Sequence, residues 1–170
     1  NPEAGARHGR LAIEAGHHVV LVSKEVDSVV GPYLAAYARR HGKVVTPVDG
    51  DQPSLLIGLI TWAQTLGFEI LAAGKSSEYD FVFNEASGVL TCNGVPHALP
   101  ALAGHMAMGQ RAAGEVAQAR AKVCATLPQR AVPDLCELLV VANSTGFVPD
   151  RADLHAPIAR IPEVPSVFGL

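Results

Sequence analysis

Residues His17–Asp27 read HHVVLVSKEVD. Two histidines lead into an unbroken apolar run, Val19–Val22, and Ser23, Lys24, Glu25 and Asp27 crowd its exit. A short β-branched run of this kind predicts a strand buried on both faces, as in a parallel sheet covered by helices. Ligands of open α/β sheets bind just beyond the carboxyl ends of the strands, because the loops there face a crevice while the strand bodies are covered. Lys24, Glu25 and Asp27 are therefore the first candidates for chemistry.

Upstream, Asn1-Pro2 suits a helix cap followed by proline at the first helical position. The helix should run to about Ala15 and stop at Gly16. Downstream, Gly31-Pro32 should restart a helix carrying Leu34, Ala35 and Ala38 on one stripe, with Gly42 as its end. A strand over 43–48 follows and closes on Asp49-Gly50-Asp51-Gln52-Pro53. Leu55, Leu56, Leu59, Ile60, Ala63 and Leu66 mark a helix with a wide apolar face, and Phe68–Ala73 reads as another strand. Strand and helix alternate through residue 75, the rhythm of βαβ crossovers and a parallel or mixed sheet.

Beyond Lys75 the alternation fades. Residues 76–100 read as a long, mobile or lid-like loop with a hairpin at Asn93-Gly94. An alanine-rich helix is expected over 109–126, with Arg120 and Lys122 turned outward. A helix opened by Pro133 should bury Val132, Leu135, Cys136, Leu139 and Ala142. Asn143-Ser144-Thr145-Gly146 then forms either a polar lining or a C-terminal cap. Prolines at 149, 157, 162 and 165 suggest extended chain.

The 170 residues are 49% apolar and 17% charged, with a formal net charge of -3, enough apolar content for a sizeable core. No basic cluster offers a phosphate-binding surface, so nucleic acid is not an expected partner. Cys92, Cys124 and Cys136 form no CxxC pair and read as reduced, buried thiols of a cytoplasmic protein. No apolar run reaches the roughly 18 residues of a membrane span. No GxGxxG, P-loop, HExxH or GxSxG occurs, and the histidines have no ligand spacing, so no metal is expected. Asp49 and Asp51 read as a turn and helix cap or as a ligand pair. Gly74-Lys75, at a strand end, places an ammonium where an anionic substrate could meet it.

GHHVVLVSKEVDSVVGPYLAAYARRHG, then GDQPSLLIGLITWAQTLGFEILAAGK, then VANSTGFVPD, together resemble the homoserine dehydrogenase-like oxidoreductases that carry a C-terminal SAF domain. The resemblance spans residues 1–75 and about 130–157. It implies an α/β fold: the C-terminal part of a Rossmann-like domain over 1–50, a mixed α/β substrate and dimerisation domain over 51–157, and a linker or tail over 158–170. On that template the phosphate-binding loop would precede Asn1 and the SAF domain would follow Leu170.

In homoserine dehydrogenases an Asn-Lys pair follows this strand, its lysine beside nicotinamide and substrate, and Ser23-Lys24 stands there in this chain. The SAF-bearing branch reads Asn-Val-Glu-x-Asp, matched by Glu25 and Asp27. The resemblance thus implies NAD or NADP as cofactor, with Asn1, Pro2, Ser23 and Lys24 toward it. Lys24, Glu25 and Asp27 would be catalytic, and Asp51, Lys75, Asn143, Ser144 and Thr145 would face a small-molecule substrate. The expected reaction is hydride transfer between nicotinamide and a small polar carbonyl or alcohol, in a homodimer or higher homo-oligomer. Two other readings remain open: a sugar-phosphate reductoisomerase of the deoxyxylulose phosphate type, and a non-catalytic assembly or regulatory module with the alanine-rich helix and the helix after Pro133 as its subunit interface.

Overall fold

The computed structural model describes residues 1–153 and 155–169. They fall into two compact units, Asn1–Lys75 with Val132–Ala152, and Ser76–Ala131 with Asp153–Leu170. The boundary expected at residue 50 lies within the first unit, and that expected at 157 within the second.

The first unit begins with α1, Pro2–Glu14, capped by the Asn1 side chain, which accepts from the Glu3 N–H at 3.0 Å. Gly16 follows at φ +89°, the left-handed stop that the sequence announces. β1, Val19–Leu21, pairs in parallel with β2, Val45–Pro47, through the crossover helix α2, Lys24–Arg40. The βαβ unit expected from the alternation is thus present. Its core is Ile13, Leu34 and Ala38 under Val19, Leu21 and Val45. Gly5 and Gly9 let α1 approach α2 closely, since a Cβ at Gly5 would lie 2.4 Å from Val26 Cγ2.

Two expectations fail here. β1 is buried on one face only, Val20 and Val22 being 57% and 69% exposed, because α1 and α2 both pack on the Val19 and Leu21 side. Residues 68–73 form no strand, since no neighbouring backbone pairs with them, and Phe68 and Leu71 stay exposed.

α2 also starts seven residues before Gly31 and runs through Pro32. Proline removes the N–H that would bond the Ser28 carbonyl one turn back. That carbonyl instead accepts from Asn143 Nδ2 at 3.2 Å, so the break expected at Gly31-Pro32 is bridged from another helix. That helix is α5, Val132–Thr145. Between them in sequence, α3, Gln52–Thr65, is capped by Asp51, whose Oδ1 accepts from the Gln52 N–H at 2.9 Å.

The second unit replaces the expected loop with an antiparallel meander, β3 Phe81–Asn84, β4 Val89–Cys92 and β5 Val95–Ala98. Asn93 and Gly94, at φ 50° and 78°, make the tight turn between β4 and β5. Leu90, Cys92, Leu102, Cys124 and Leu127 form its core, bringing in the 3-10 turn Pro100–His105 and α4, Ala113–Val123. Cys92 and Cys124 are the buried thiols expected, and Cys136 is half-buried.

Arg120 does not point outward but is 1% exposed. All its donors are used: Nε to the His105 carbonyl, Nη1 to Ile158 O and Glu163 Oε2, Nη2 to Met106 O and Glu163 Oε1. Glu163 closes a 3-10 turn, Ile161–Glu163, ahead of the short helix α6, Val164–Val167, so the residues expected as linker are docked by a buried ion pair. The guanidinium of Arg120 holds the Glu163 carboxyl down to about 2.

Candidate active site

Lys24 is the first residue of α2, directly beyond the carboxyl end of β1. A cation at a helix N-terminus works against the helix dipole and needs an offsetting charge. α5 supplies it. The expected apolar stripe of this helix is rotated: Val132 and Leu135 are exposed, and Asp134, Glu137, Val140 and Val141 are the buried positions. Asp134 and Glu137, three residues apart, share that face.

Glu137 is fully buried and lies between two ammoniums. Its Oε1 accepts a hydrogen bond from Lys24 Nζ. Its Oε2 meets Lys75 Nζ at 2.5 Å as an ion pair without ordinary hydrogen-bond geometry. Lys75 also donates to Asp134 Oδ1, and Lys24 lies 3.5 Å from Asp51 Oδ1. Asp51 is thus the helix cap of one of its two readings and also lies beside Lys24.

The hydrogen bond that Lys24 donates to Glu137 raises the Lys24 pKa above its ordinary value, against a smaller lowering by burial. At Lys75 burial is the largest influence and lowers the pKa, but Asp134 and Glu137 together outweigh it and the net direction is upward. Both side chains are ammoniums at neutral pH. Neither is a ready proton donor. They act as fixed positive charges.

Of the three residues expected to be catalytic, Lys24 and Asp27 line one narrow cleft with Leu21, Pro47, Asp51 and Val140, about 10 Å³ in volume. That is room for roughly one water. Asp27 is half-buried, and burial raises its pKa. Glu25 instead engages its neighbours: it accepts from Ser23 Oγ at 2.8 Å, and its own backbone N–H and Ser23 lower its pKa.

Asn143 serves the α2 carbonyl described above. Thr145 donates to Val141 O at 2.8 Å and accepts from the Phe147 N–H, and Gly146 takes φ +77°, so this cluster is a helix terminus as the capping reading has it. Ser144 is exposed. Asn1 and Pro2 cap α1.

Along the open side of β1 lies an apolar trough of about 370 Å³, lined by Gly9, Ala12, Val20, Val22, Ser23 and others. Its walls are apolar almost throughout. Ser23 at its end adjoins Lys24 in the chain.

Sequence reasoning placed the two lysines and Asp51 but missed Asp134 and Glu137. The available signal was two acids at i, i+3 inside a helix of high mean hydropathy. Among the described residues no cluster of metal-ligating type occurs, and no helix is long and apolar enough to cross a membrane.

No curated protein and no solved structure matches the chain. A family model described as oxidoreductase DRL, catalytic domain, matches residues 50–170, a span that includes Asp51, Lys75, Asp134 and Glu137, with Lys24 upstream of it. The match covers well over half of the sequence, and the chain belongs to the family of the oxidoreductase DRL catalytic domain.

Proposed function

We propose that this chain carries the substrate end of an NAD(P)-dependent oxidoreductase resembling the homoserine dehydrogenases, which moves a hydride between nicotinamide and a small polar carbonyl or alcohol. One observation carries the reading: Lys24 and Lys75, from segments far apart in sequence, converge on the wholly buried carboxylate of Glu137. Burying such a cluster costs stability unless geometry and function require it, and perturbed ionisable groups concentrate at active sites.

A bound nicotinamide would supply or accept the hydride. Ser23, Val22 and the neighbouring trough would hold its ring. Lys24, the more exposed of the two lysines, has three N–H donors, and Glu137 takes one of them. A substrate oxygen would take another and be stabilised as alkoxide character develops. Lys75 and Asp134 fix the far oxygen of Glu137 and so the height of Lys24. Asp27, in the same cleft and with its pKa raised, is better suited than Lys24 to give and take the proton.

A sugar phosphate would present its carbonyl to the same ammonium. Its phosphate would lie elsewhere, because three carboxylates already outnumber the two ammoniums here. Nicotinamide absorbance, followed with homoserine and with sugar phosphates in the presence of NAD and NADP, tests both substrate classes. Lys24→Ala in the full-length protein should lower kcat by about 100-fold or more. Wild-type turnover in that variant would remove Lys24 from the chemistry. Asp27→Asn should abolish one limb of the pH profile of kcat/KM.

A further inference from the structure

Asp27 leans against the usual direction of a helical side chain. Such side chains ordinarily lie over the turn N-terminal to their own position, which for Asp27 is the turn that carries Ser23 and Lys24. Its carboxylate lies instead over Gly31, one turn toward the C-terminus. A Cβ at Gly31 would stand 1.9 Å from Asp27 Oδ1 and 3.1 Å from its Cγ. Lys24, three residues before Asp27 on the same face, pairs with Glu137 and Asp51 and not with Asp27. Among the described residues nothing donates a hydrogen bond to the Asp27 carboxylate, and burial is what raises its pKa.

Gly31 itself is out of keeping with its helix. It is buried in the body of α2 and has no positive φ, so the backbone does not require glycine there, and only proline is a poorer helix former. Packing between helices does not require it either. Gly5 and Gly9 make room for Val26 and Leu34 of another helix, whereas the three atoms nearest to a Cβ at Gly31 all belong to Asp27. Local rules broken without a packing reason concentrate at functional sites.

We propose that Gly31 is a positioning residue, whose missing side chain gives the Asp27 carboxylate a berth clear of the Lys24 ammonium. This role for Gly31 rests on the proton role proposed for Asp27. A carboxylate drawn against Lys24 would stay ionised and could not carry a proton near neutral pH. In the berth it faces the cleft without a cationic partner. The charges around the cleft favour that separation. Asp51, ahead of α3, lines it, and Glu137 on α5 reaches it through Lys24, so both carboxylates hold the ammonium to themselves. On α2 itself Glu25 is turned to Ser23. β1 and β2 bring only apolar residues, Leu21 and Pro47, and among the described residues α1 brings none to the lining.

Carbon-13 titration of the carboxyl groups by nuclear magnetic resonance, on the intact chain with Asp27→Asn to assign the signal, tests the position. Gly31→Ala should be at least as stable as the parent in thermal denaturation, because alanine favours helix and its methyl group displaces only a carboxylate that can rotate. It should move the Asp27 pKa from above the ordinary 3.8 to below it. Lys24→Ala should leave that pKa where it is in the parent and raise it in the Gly31→Ala background, where the pair has formed. The measurement in the parent stands even if Gly31→Ala misfolds. In the full-length protein Gly31→Ala should lower kcat by about 100-fold with KM little changed, and erase the same limb of the pH profile as Asp27→Asn. An Asp27 pKa unmoved by Gly31→Ala, or one that responds to Lys24→Ala in the parent, overturns the inference. A lowered Asp27 pKa with an unaltered pH profile supports the berth and overturns the proton role of Asp27 instead.

Discussion

Replacing Glu137 by glutamine removes one negative charge and almost no volume from the centre of the lysine cluster. A hydrogen bond to a charged group contributes about 1.5–3 kcal/mol, and removing one partner of a buried ion pair costs about 3–5 kcal/mol when the other is left alone. Neither ammonium is left alone here, since Lys24 keeps Asp51 at 3.5 Å and Lys75 keeps Asp134. The amide oxygen can still accept from one lysine. The expected loss is therefore toward the lower end, about 2–3 kcal/mol, which lowers a urea midpoint by roughly 1–2 M at the slopes usual for small domains.

The same substitution should lower the pKa of both lysines, because Glu137 raises each of them. Nuclear magnetic resonance of the lysine side chains reads that directly. Raised lysine pKa values stabilise the fold fully below the ordinary value of 10.5, and that contribution is lost as pH climbs through the higher folded values. The parent should thus lose stability on the alkaline side, above about pH 10.5, and Glu137→Gln should lose less there. A stability change under about 0.5 kcal/mol, with Lys24 titrating as before, would refute the claim that this carboxylate holds the cluster together.

Three further outcomes are expected. Glu163 has a folded pKa of about 2 against an ordinary 4.5, so its contribution, about 3 kcal/mol, is complete above pH 4.5 and lost as pH falls toward 2. Glu163→Gln should flatten that acid limb in denaturation followed as a function of pH. Asn143→Ala should cost about 1 kcal/mol in the parent and clearly less beside Pro32→Ala, where the helix can bond the Ser28 carbonyl itself, and a double-mutant cycle measures the difference. Gly5→Ala should destabilise by about 1–3 kcal/mol in thermal or chemical denaturation, because its methyl group would press on Val26.

Local signals in the sequence carried the first unit far. A capped proline start, glycines at 16 and 42 and the β-branched run after His18 set the limits of α1 and β1 and the end of α2 nearly as found. Pro32 misled because its cost depends on what replaces the missing hydrogen bond, and the replacement comes from Asn143, 115 residues away. The meander over 81–98 was legible only at Asn93-Gly94, where turn chemistry is local. Its strands are four residues each and depend on side chains of α4 and the C-terminal segment for cover.

The cluster was legible in its lysines and Asp51 and not in Asp134 and Glu137, and the asymmetry has a physical origin. Lys24 stands beyond the carboxyl end of a strand, where sheet proteins place chemistry, whereas Lys75 ends an apolar run that forms no strand and was marked by that run alone. Asp134 and Glu137 sit inside a helix, where a stripe of Val132, Leu135, Leu139 and Ala142 competes with one of Val140 and Val141 for the core. Hydrophobicity alone favours the first stripe. Two ammoniums on the neighbouring segments favour the second, because turning Glu137 to solvent would leave Lys75, which is 12% exposed, with one carboxylate in place of two. The rotation of α5 is thus decided by electrostatic pairing over a modest difference in apolar burial. Arg120 repeats part of the pattern: the alanine-rich helix buries a cation beside Val116 because Glu163 and three carbonyls satisfy it completely. In both helices a charged residue belongs to the inner face, and reading only the apolar period misses it.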